Sequence, residues 1–474
     1  MKKYPAWVMG GLLVMLAGRA ARADALDMFG ASSRATAMGG AMTAISVGAE
    51  GAVYNASSLA LSPNSASMEW TSFRSHLNIN GTNFGPGDSD FGPMPNLIGL
   101  NQRFLRDRIG VGLILVPSGF GGPGGKGSGG GEGIGLITNG YGWPMYGTST
   151  IPLYYGIGFR LHDKLAVGFT QATNITLVRF SDITLNIDDL LESVIGVSTG
   201  IPPVGINPNV NISAATEPGK VGVSVTFKPV KYLSLGYAQR PGSWMRLKIP
   251  IFLTSTGLMS DDIRILVISD IANTPDKEQL GAAVHVPLPH STLTLAWSQD
   301  HQFWGRLRKD RLKETVRWTE PNIASLIQVS YGPPGPMTDV SVDHYGLEYL
   351  MDAPWLPGKF LKQRNPQVAV RGGYYHWNSP LPNKLYGTDF DSDANIYSLG
   401  LGLSLDRRSQ KYLKDPTVAR RFSLDLHAQY FDLEDRNYKL TYDYWGNHRG
   451  SSSVYYYHTE GKITNLGLQA TWWH

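Results

Sequence analysis

The chain has 474 residues, with 42 Lys and Arg against 38 Asp and Glu, a net charge of +4, and no cysteine. The missing thiols exclude a disulfide framework and any thiolate metal centre, and so small a net charge excludes a nucleic-acid binder that relies on a broad basic face. Glycine (55) and tyrosine (23) are abundant, and Lys, Glu and Ala runs of helical type are scarce, a mix that favours strands and turns.

The N-terminus reads Met1-Lys2-Lys3, an apolar run from Trp7 to Ala17, then Ala21-Arg22-Ala23 before Asp24. A positive start, a short apolar core and an Ala-x-Ala site form a secretory signal peptide over residues 1–23. The apolar run is shorter than the roughly 20 residues of a spanning helix, and no later stretch resembles one. An exported chain from Asp24 can be a secreted protein, a periplasmic protein or an outer-membrane barrel. Residues 24–65 follow, with the soft stretch Gly30 to Ala41, GASSRATAMGGA, too poor in large apolar residues to build a core of its own.

Fourteen strands are predicted from there, near residues 68–80, 96–104, 109–117, 152–161, 165–180, 220–228 and 232–247, then 277–286, 292–304, 342–350, 368–377, 395–405, 422–445 and 454–473. Their signature is strict alternation. Tyr397, Leu399, Leu401, Leu403 and Leu405 alternate with Ser and Gly, and Leu424, Leu426 and Tyr430 alternate with Asp425, His427 and Gln429. A soluble sandwich would also alternate, with apolar residues inward. Here the second face is mostly Gly, Ser and Thr, with little Lys or Glu, as suits a lumen opposite a lipid-facing wall. Links also alternate in length. Residues 106–108, 162–164, 229–231 and 287–290 make tight turns, whereas 118–150, 181–216, 249–276 and 305–341 are long, the asymmetry between the periplasmic and outer ends of a membrane barrel. The turns at 351–367 and 406–421 are longer but basic and are placed on the short-turn side. Trp297, Trp304, Trp377, Trp445, Trp472 and Trp473 fall near strand ends, where a lipid-headgroup girdle would put them. The expected fold is thus an all-β transmembrane antiparallel barrel of about fourteen strands over residues 66–474. Residues 24–65 form a plug inside its lumen, held there because the wall supplies partners for irregular backbone.

The stretch from Phe29 to Leu61, FGASSRATAMGGAMTAISVGAEGAVYNASSLAL, resembles the N-terminal hatch of FadL-type long-chain fatty acid transporters of the bacterial outer membrane. Arg34, Ala35, Met38, Gly39, Gly40 and Ala41 match that family's Gly-x-Arg-Ala-x-x-Met-Gly-Gly-Ala pattern, and Tyr54 and Asn55 match the start of its aromatic then Asn-Pro-Ala motif. NTPDKEQLGAAVHV, LTLAWSQDHQFW and the run from Val370 to Asp406 are similar to later family segments, in family order. Two departures stand out. Asn-Pro-Ala is Asn55-Ala56-Ser57, without the proline that fixes a bend. The usual upstream acidic pair is Ser46-Val47-Gly48, leaving Glu50 as the nearest acid. The terminal aromatic is displaced by one position in Trp472-Trp473-His474.

The resemblance implies passive inward transport of hydrophobic small molecules, such as long-chain fatty acids, related lipids or hydrocarbons. It also implies gating by the hatch residues Arg34, Gly39, Gly40, Tyr54, Asn55, Ala56 and Ser57, and a lateral exit to the bilayer near the third strand. The residues themselves offer an apolar collector in the loops, represented by Leu258 and Ile265, and an inner apolar face on the third strand at Ile114 and Val116. Arg160 and Arg371 point to the lumen by alternation and are candidates for a fatty acid carboxylate, with Arg240 as a third; pairing with Glu348 or Asp425 is the alternative. No phosphate loop, metal cluster or nucleophile elbow is found, and a pairing of Asp425 with His427 is the one trace of a hydrolase. The expectation is a monomeric non-enzyme without cofactor or metal, whose partners are a hydrophobic ligand and outer-membrane lipids. The rival readings are a surface lipid-binding or adhesive barrel and a barrel hydrolase.

Overall fold

The computed structural model describes residues 29–80, 89–115, 148–178, 183–185, 204–206, 220–242, 244–253, 263–272, 275–305, 314–318, 338–356, 366–380, 384–385, 392–406, 421–442 and 453–473. The expected signal peptide, Val116, Leu258, Trp445 and most of the long links lie outside them. No helix among the described residues is long and apolar enough to cross a membrane.

Twenty strands among the described residues are numbered in chain order. They are β1 (Ser65–Asn80), β2 (Ser89–Phe104), β3 (Ile109–Leu115), β4 (Thr148–His162), β5 (Leu165–Val178), β6 (Ile183–Leu185), β7 (Val204–Ile206), β8 (Gly222–Val230), β9 (Leu233–Arg240) and β10 (Trp244–Leu253). The second half holds β11 (Ile263–Ala272), β12 (Lys277–Leu288), β13 (Ser291–Gln302), β14 (Glu314–Trp318), β15 (Val340–Asp352), β16 (Gln367–Trp377), β17 (Lys384–Leu385), β18 (Ala394–Asp406), β19 (Arg421–Tyr442) and β20 (Ser453–Trp473). Fourteen of them make one antiparallel ring, in the order β1, β2, β3, β4, β5, β8, β9, β12, β13, β15, β16, β18, β19 and β20. The pairing of β20 with both β19 and β1 closes the ring. Closure leaves the ring no open strand edge.

Two boundaries differ from expectation. The strand expected over 232–247 divides at Pro241-Gly242, because proline offers no ladder donor. The part before it, β9, belongs to the ring, while β10 pairs with β7 and β11. In addition, β6, β7, β10, β11 and β14 form a separate five-stranded sheet within the long links, where only loops were expected. Its central hairpin joins Ile249–Leu253 to Ile263–Val267, β-branched runs that favour extended backbone.

The faces of the ring are inverted relative to a soluble core. Leu399 is 68% exposed and its neighbour Ser398 3%. Leu424, Leu426, Leu466 and Leu468 face outward likewise, while Ser423, Asp425, His427 and Gln429 are buried. Tyr345, Tyr374, Tyr397 and Tyr430 are all exposed and are successive cross-strand partners on four adjacent strands. Trp297 extends this row as the partner of Tyr345. Toward the short turns, Trp472, the partner of Phe422, is also exposed. Between the Tyr430 and Trp472 levels the outer face carries the leucines, an apolar band edged by aromatics. Trp304 and Trp377, expected in that girdle, are instead only 1% exposed. Trp377 continues the inward parity of Arg371 and Tyr375, and Trp304, two residues past the end of β13, donates through Nε1 to the inward Gln302 at 2.8 Å.

Residues 29–64 are enclosed by the ring. They form two short helices, α1 (Ser33–Ala37) and α2 (Gly51–Tyr54), and two 3-10 turns, Gly48–Glu50 and Ala56–Ala60. Pieces this short are not stable in water alone. Ser32 caps α1 by accepting from the Ala35 N–H, and Tyr54 OH accepts from the Ala31 N–H at 3.0 Å. The rest of the support comes from the wall, which α1 meets at β16, β18, β19 and β20 and the Ala56–Ala60 turn meets at β3, β4, β5 and β8. The inward glycines of the wall make this fit possible. A Cβ on Gly373 would lie 2.1 Å from the Gly39 nitrogen, and one on Gly110 2.2 Å from the Leu59 carbonyl. Gly39 itself has φ +60, a left-handed conformation that glycine adopts without strain. The ring begins at Ser65, one residue before the expected boundary.

Candidate functional site

The enclosed segment is tied to the wall by charge. Arg34 donates through Nε and Nη2 to the two carboxylate oxygens of Glu348 on β15, at 3.0 and 3.1 Å, and through Nη1 to Glu50 at 3.3 Å and the Ile45 carbonyl at 3.1 Å. Arg371 on β16 donates to the same Glu348 at 2.6 Å and to Asp425 on β19 at 2.7 Å. Two guanidiniums and three carboxylates thus form one network with little exposure. Burial raises the Glu50 carboxyl above its ordinary value, offset in part by Arg34 and by donors from Ser32 and the Val47 N–H. Burial works against the Arg34 charge, but Glu348 and Glu50 more than compensate and hold the guanidinium above its usual range. A cavity of about 200 Å³ lies beside the network toward the short turns, between Ala49 and Glu50 on one side and Ser65, Gln469 and Trp473 on the other.

Two further links are polar. The Ser33 N–H donates to Gln469 at 2.7 Å, and Ser33 Oγ donates to Glu69 at 2.8 Å while accepting from His427 Nδ1 at 3.0 Å. Asn55 is saturated, donating to the Thr43 carbonyl, the Val225 carbonyl and Thr226 Oγ1 and accepting from Ser57. Ser57 also bonds Thr226 and, through its N–H, Ser224. Asn55 has extended backbone, and Ala56 opens the 3-10 turn, the same order of extended residue and then turn that a proline at position 56 would favour.

Higher in the lumen the lining changes. Ile396, Phe431, Ile463, Tyr375, Trp377 and Trp304 are all buried on the inner wall between the enclosed segment and the long links. Phe29 meets Phe431 with ring centroids 5.1 Å apart. A polar group is set beside this layer. Lys277 pairs with Asp300, and His344 approaches the same carboxylate through Nε2 at 3.2 Å while donating through Nδ1 to the Gly39 carbonyl at 2.7 Å. Arg240, the cross-strand partner of Lys277, lies over the Tyr154 ring at 5.7 Å from its centroid.

Among the residues expected from sequence, Arg34, Gly39, Gly40, Tyr54, Asn55, Ala56 and Ser57 all pack inside the ring. Ile114 is fully buried on the inner face of β3. Arg371 faces inward and is held by two carboxylates. Arg160 does not reach the lumen network; a register shift at Arg160/His162 interrupts the ladder there, and its Nη2 bonds Asp163 in the turn at 2.7 Å. Ile265 lies on β11 of the loop sheet, paired with Ile251 and Trp318. Asp425 and His427 do not form a pair, since one bonds Arg371 and the other Ser33. Glu69, Lys277, Asp300 and His344 were missed, although each has the inward parity of its strand. Asp435, His458 and Glu460 bring their ligand atoms within 4.8 Å of one another on the outer parts of β19 and β20, a grouping across two strands that spacing along the chain does not reveal.

No family model matches the sequence, and no curated protein matches it. Solved structures do. A FadL homologue from Pseudomonas aeruginosa is similar at a TM-score of 0.54 and 15% identity, covering 96% of this chain and 99% of that one. The toluene transporter TodX of Pseudomonas putida is similar at 0.50 and 12%, covering 94% and 99%. A closed ring of fourteen strands around an N-terminal segment, superposed on those proteins over nearly its whole length, has the FadL-type fold.

Proposed function

We propose that this chain is an outer-membrane barrel of a Gram-negative bacterium that passes hydrophobic small molecules inward by diffusion, with residues 24–65 acting as a movable plug. The observation that carries this reading is the change of inner lining. A polar, ion-paired zone holds the plug, and an aromatic and aliphatic layer faces the long links. Such a layer retains an acyl chain or hydrocarbon that a watery bore would reject at about 0.8 kcal/mol per CH₂. A lateral exit beside β3 keeps the ligand in apolar surroundings throughout. For a fatty acid, Arg240 and Lys277, cross-strand partners beside the apolar layer, are the cations nearest that layer, with Lys277 shared with Asp300.

The test is uptake of labelled long-chain fatty acid and of toluene by cells with and without the chain. Faster uptake of either in expressing cells is expected, reduced when Trp377 is replaced by Glu. Surface binding without uptake of either ligand, with the folded barrel present, would favour the adhesive reading and refute transport.

A further inference from the structure

One end of the described barrel is basic. Residues 103–108, 160–164, 227–232 and 287–291, four of the short turns with the strand ends beside them, carry seven Lys and Arg and two Asp, a net charge of +5, against +4 for the whole chain. Three of these turns are laced together. The Arg160 N–H donates to the Arg108 carbonyl, the Lys228 N–H to the Lys164 carbonyl, and the His285 N–H to the Tyr232 carbonyl, each at 2.8 Å. They gather Arg106, Arg108, Lys164, Lys228 and Lys231 on one exposed sector of the rim.

The same sector is apolar on its outer edge. Phe104 and Phe227 continue the outward rows of β2 and β8 to the region of the turns, and Leu105, Leu161, Val230 and Tyr232 are exposed beside them. Lys231 lies over the Tyr232 ring at 4.7 Å. The cations therefore start where the lipid-facing wall stops. That is headgroup depth, where long basic side chains lay their stems on apolar surface and place their charge among phosphates.

We propose that this rim is a binding site for the anionic headgroups of phospholipids in the leaflet on the short-turn side. Charge complementarity selects an anionic over a zwitterionic headgroup, and the apolar edge selects a lipid over an acidic protein, which would need the charge on a surface facing away from the bilayer. The site rests on the reading that the barrel spans a membrane.

The experiment compares spin-labelled phosphatidylglycerol with spin-labelled phosphatidylcholine around the full chain in phosphatidylcholine vesicles. The fraction of motionally restricted label gives their relative association constant. A preference for phosphatidylglycerol of about fivefold or more is expected at low salt, since each basic residue at an anionic surface contributes roughly that factor. It should collapse toward one in 1 M salt. The variant Arg106→Glu/Arg108→Glu/Lys231→Glu, its folding checked by heat-modifiable gel mobility, should lose the preference at low salt. No preference in the wild-type chain, or one that the triple variant keeps, would overturn the site, whether or not an acidic protein binds the rim. Failure to insert into vesicles at all would contradict the membrane reading and the site with it.

Discussion

Replacing Arg34 by Met keeps an unbranched apolar stem of similar volume near the backbone and removes the charge. The consequence follows from what it leaves behind. Glu50 is then buried without its cation, and Glu348 is left to Arg371 alone, which Asp425 also claims. The network changes from two cations against three carboxylates to one against three. Breaking a buried ion pair by removing one partner costs about 3–5 kcal/mol. Part of that is recovered by protonation of Glu50, whose carboxyl burial already raises. If the wall-bound state of residues 29–64 loses even the lower figure, its local opening becomes on the order of 10²-fold more frequent. Hydrogen exchange of peptides from this segment in lipid vesicles reads that directly, and planar-bilayer conductance reads any opening of the bore. The double variant Arg34→Met/Glu50→Gln should regain part of the protection. Exchange within about threefold of wild type in Arg34→Met would refute the idea that charge holds the segment to the wall.

Other expectations follow from the same geometry. Ala56→Pro should be neutral or stabilise the segment by about 0.4–1 kcal/mol, because the chain there already runs from an extended residue into a turn; a clear loss of exchange protection would show that Ser57 has imposed a different arrangement. A folded-state carboxyl raised above its unfolded value favours the docked segment below the ordinary Glu range and loses that support as pH rises through the raised value. Exchange, corrected for its intrinsic pH dependence, should therefore slow on acidification, and Glu50→Gln should abolish that trend; a trend of opposite sign would contradict the assignment. Leu401→Arg, on the outer face midway between the Tyr397 and Phe422 levels, should destabilise the barrel in vesicles by about 2–4 kcal/mol in urea titration, and an effect no larger than experimental scatter would place that face elsewhere.

The ring was legible because an apolar outer face and a polar inner lining impose a period of two on every strand. The run from Tyr397 to Leu405 alone distinguishes the two faces. Parity also held for Arg371 and Ile114, and applied strictly it would have placed Trp377 inside, since it shares a face with Tyr375. Nearness to a strand end proved a weaker guide than face. Arg160 failed for the opposite reason, because parity stops at a register shift and the side chain turned to Asp163. The loop sheet was illegible because β14 pairs with β11 and β7 with β10, contacts between distant links that no local pattern encodes. The fit of the enclosed segment was half legible. Its smallness was plain, but the wall glycines opposite it, such as Gly110 and Gly373, read as a weak polar face until Leu59 and Gly39 were seen against them.

The direction in which the leucine rows point tests the account most directly. The chain has no cysteine, so single cysteines at Leu399, Leu426 and Leu468, and in turn at Ser398 and Gln429, can carry a nitroxide in vesicles. The account predicts that the three leucine positions relax with oxygen and are shielded from a water-soluble nickel chelate, while the other two are shielded from bilayer oxygen. Leucine-site labels that collide with the chelate, or a chain that stays in solution without lipid or detergent, would contradict it.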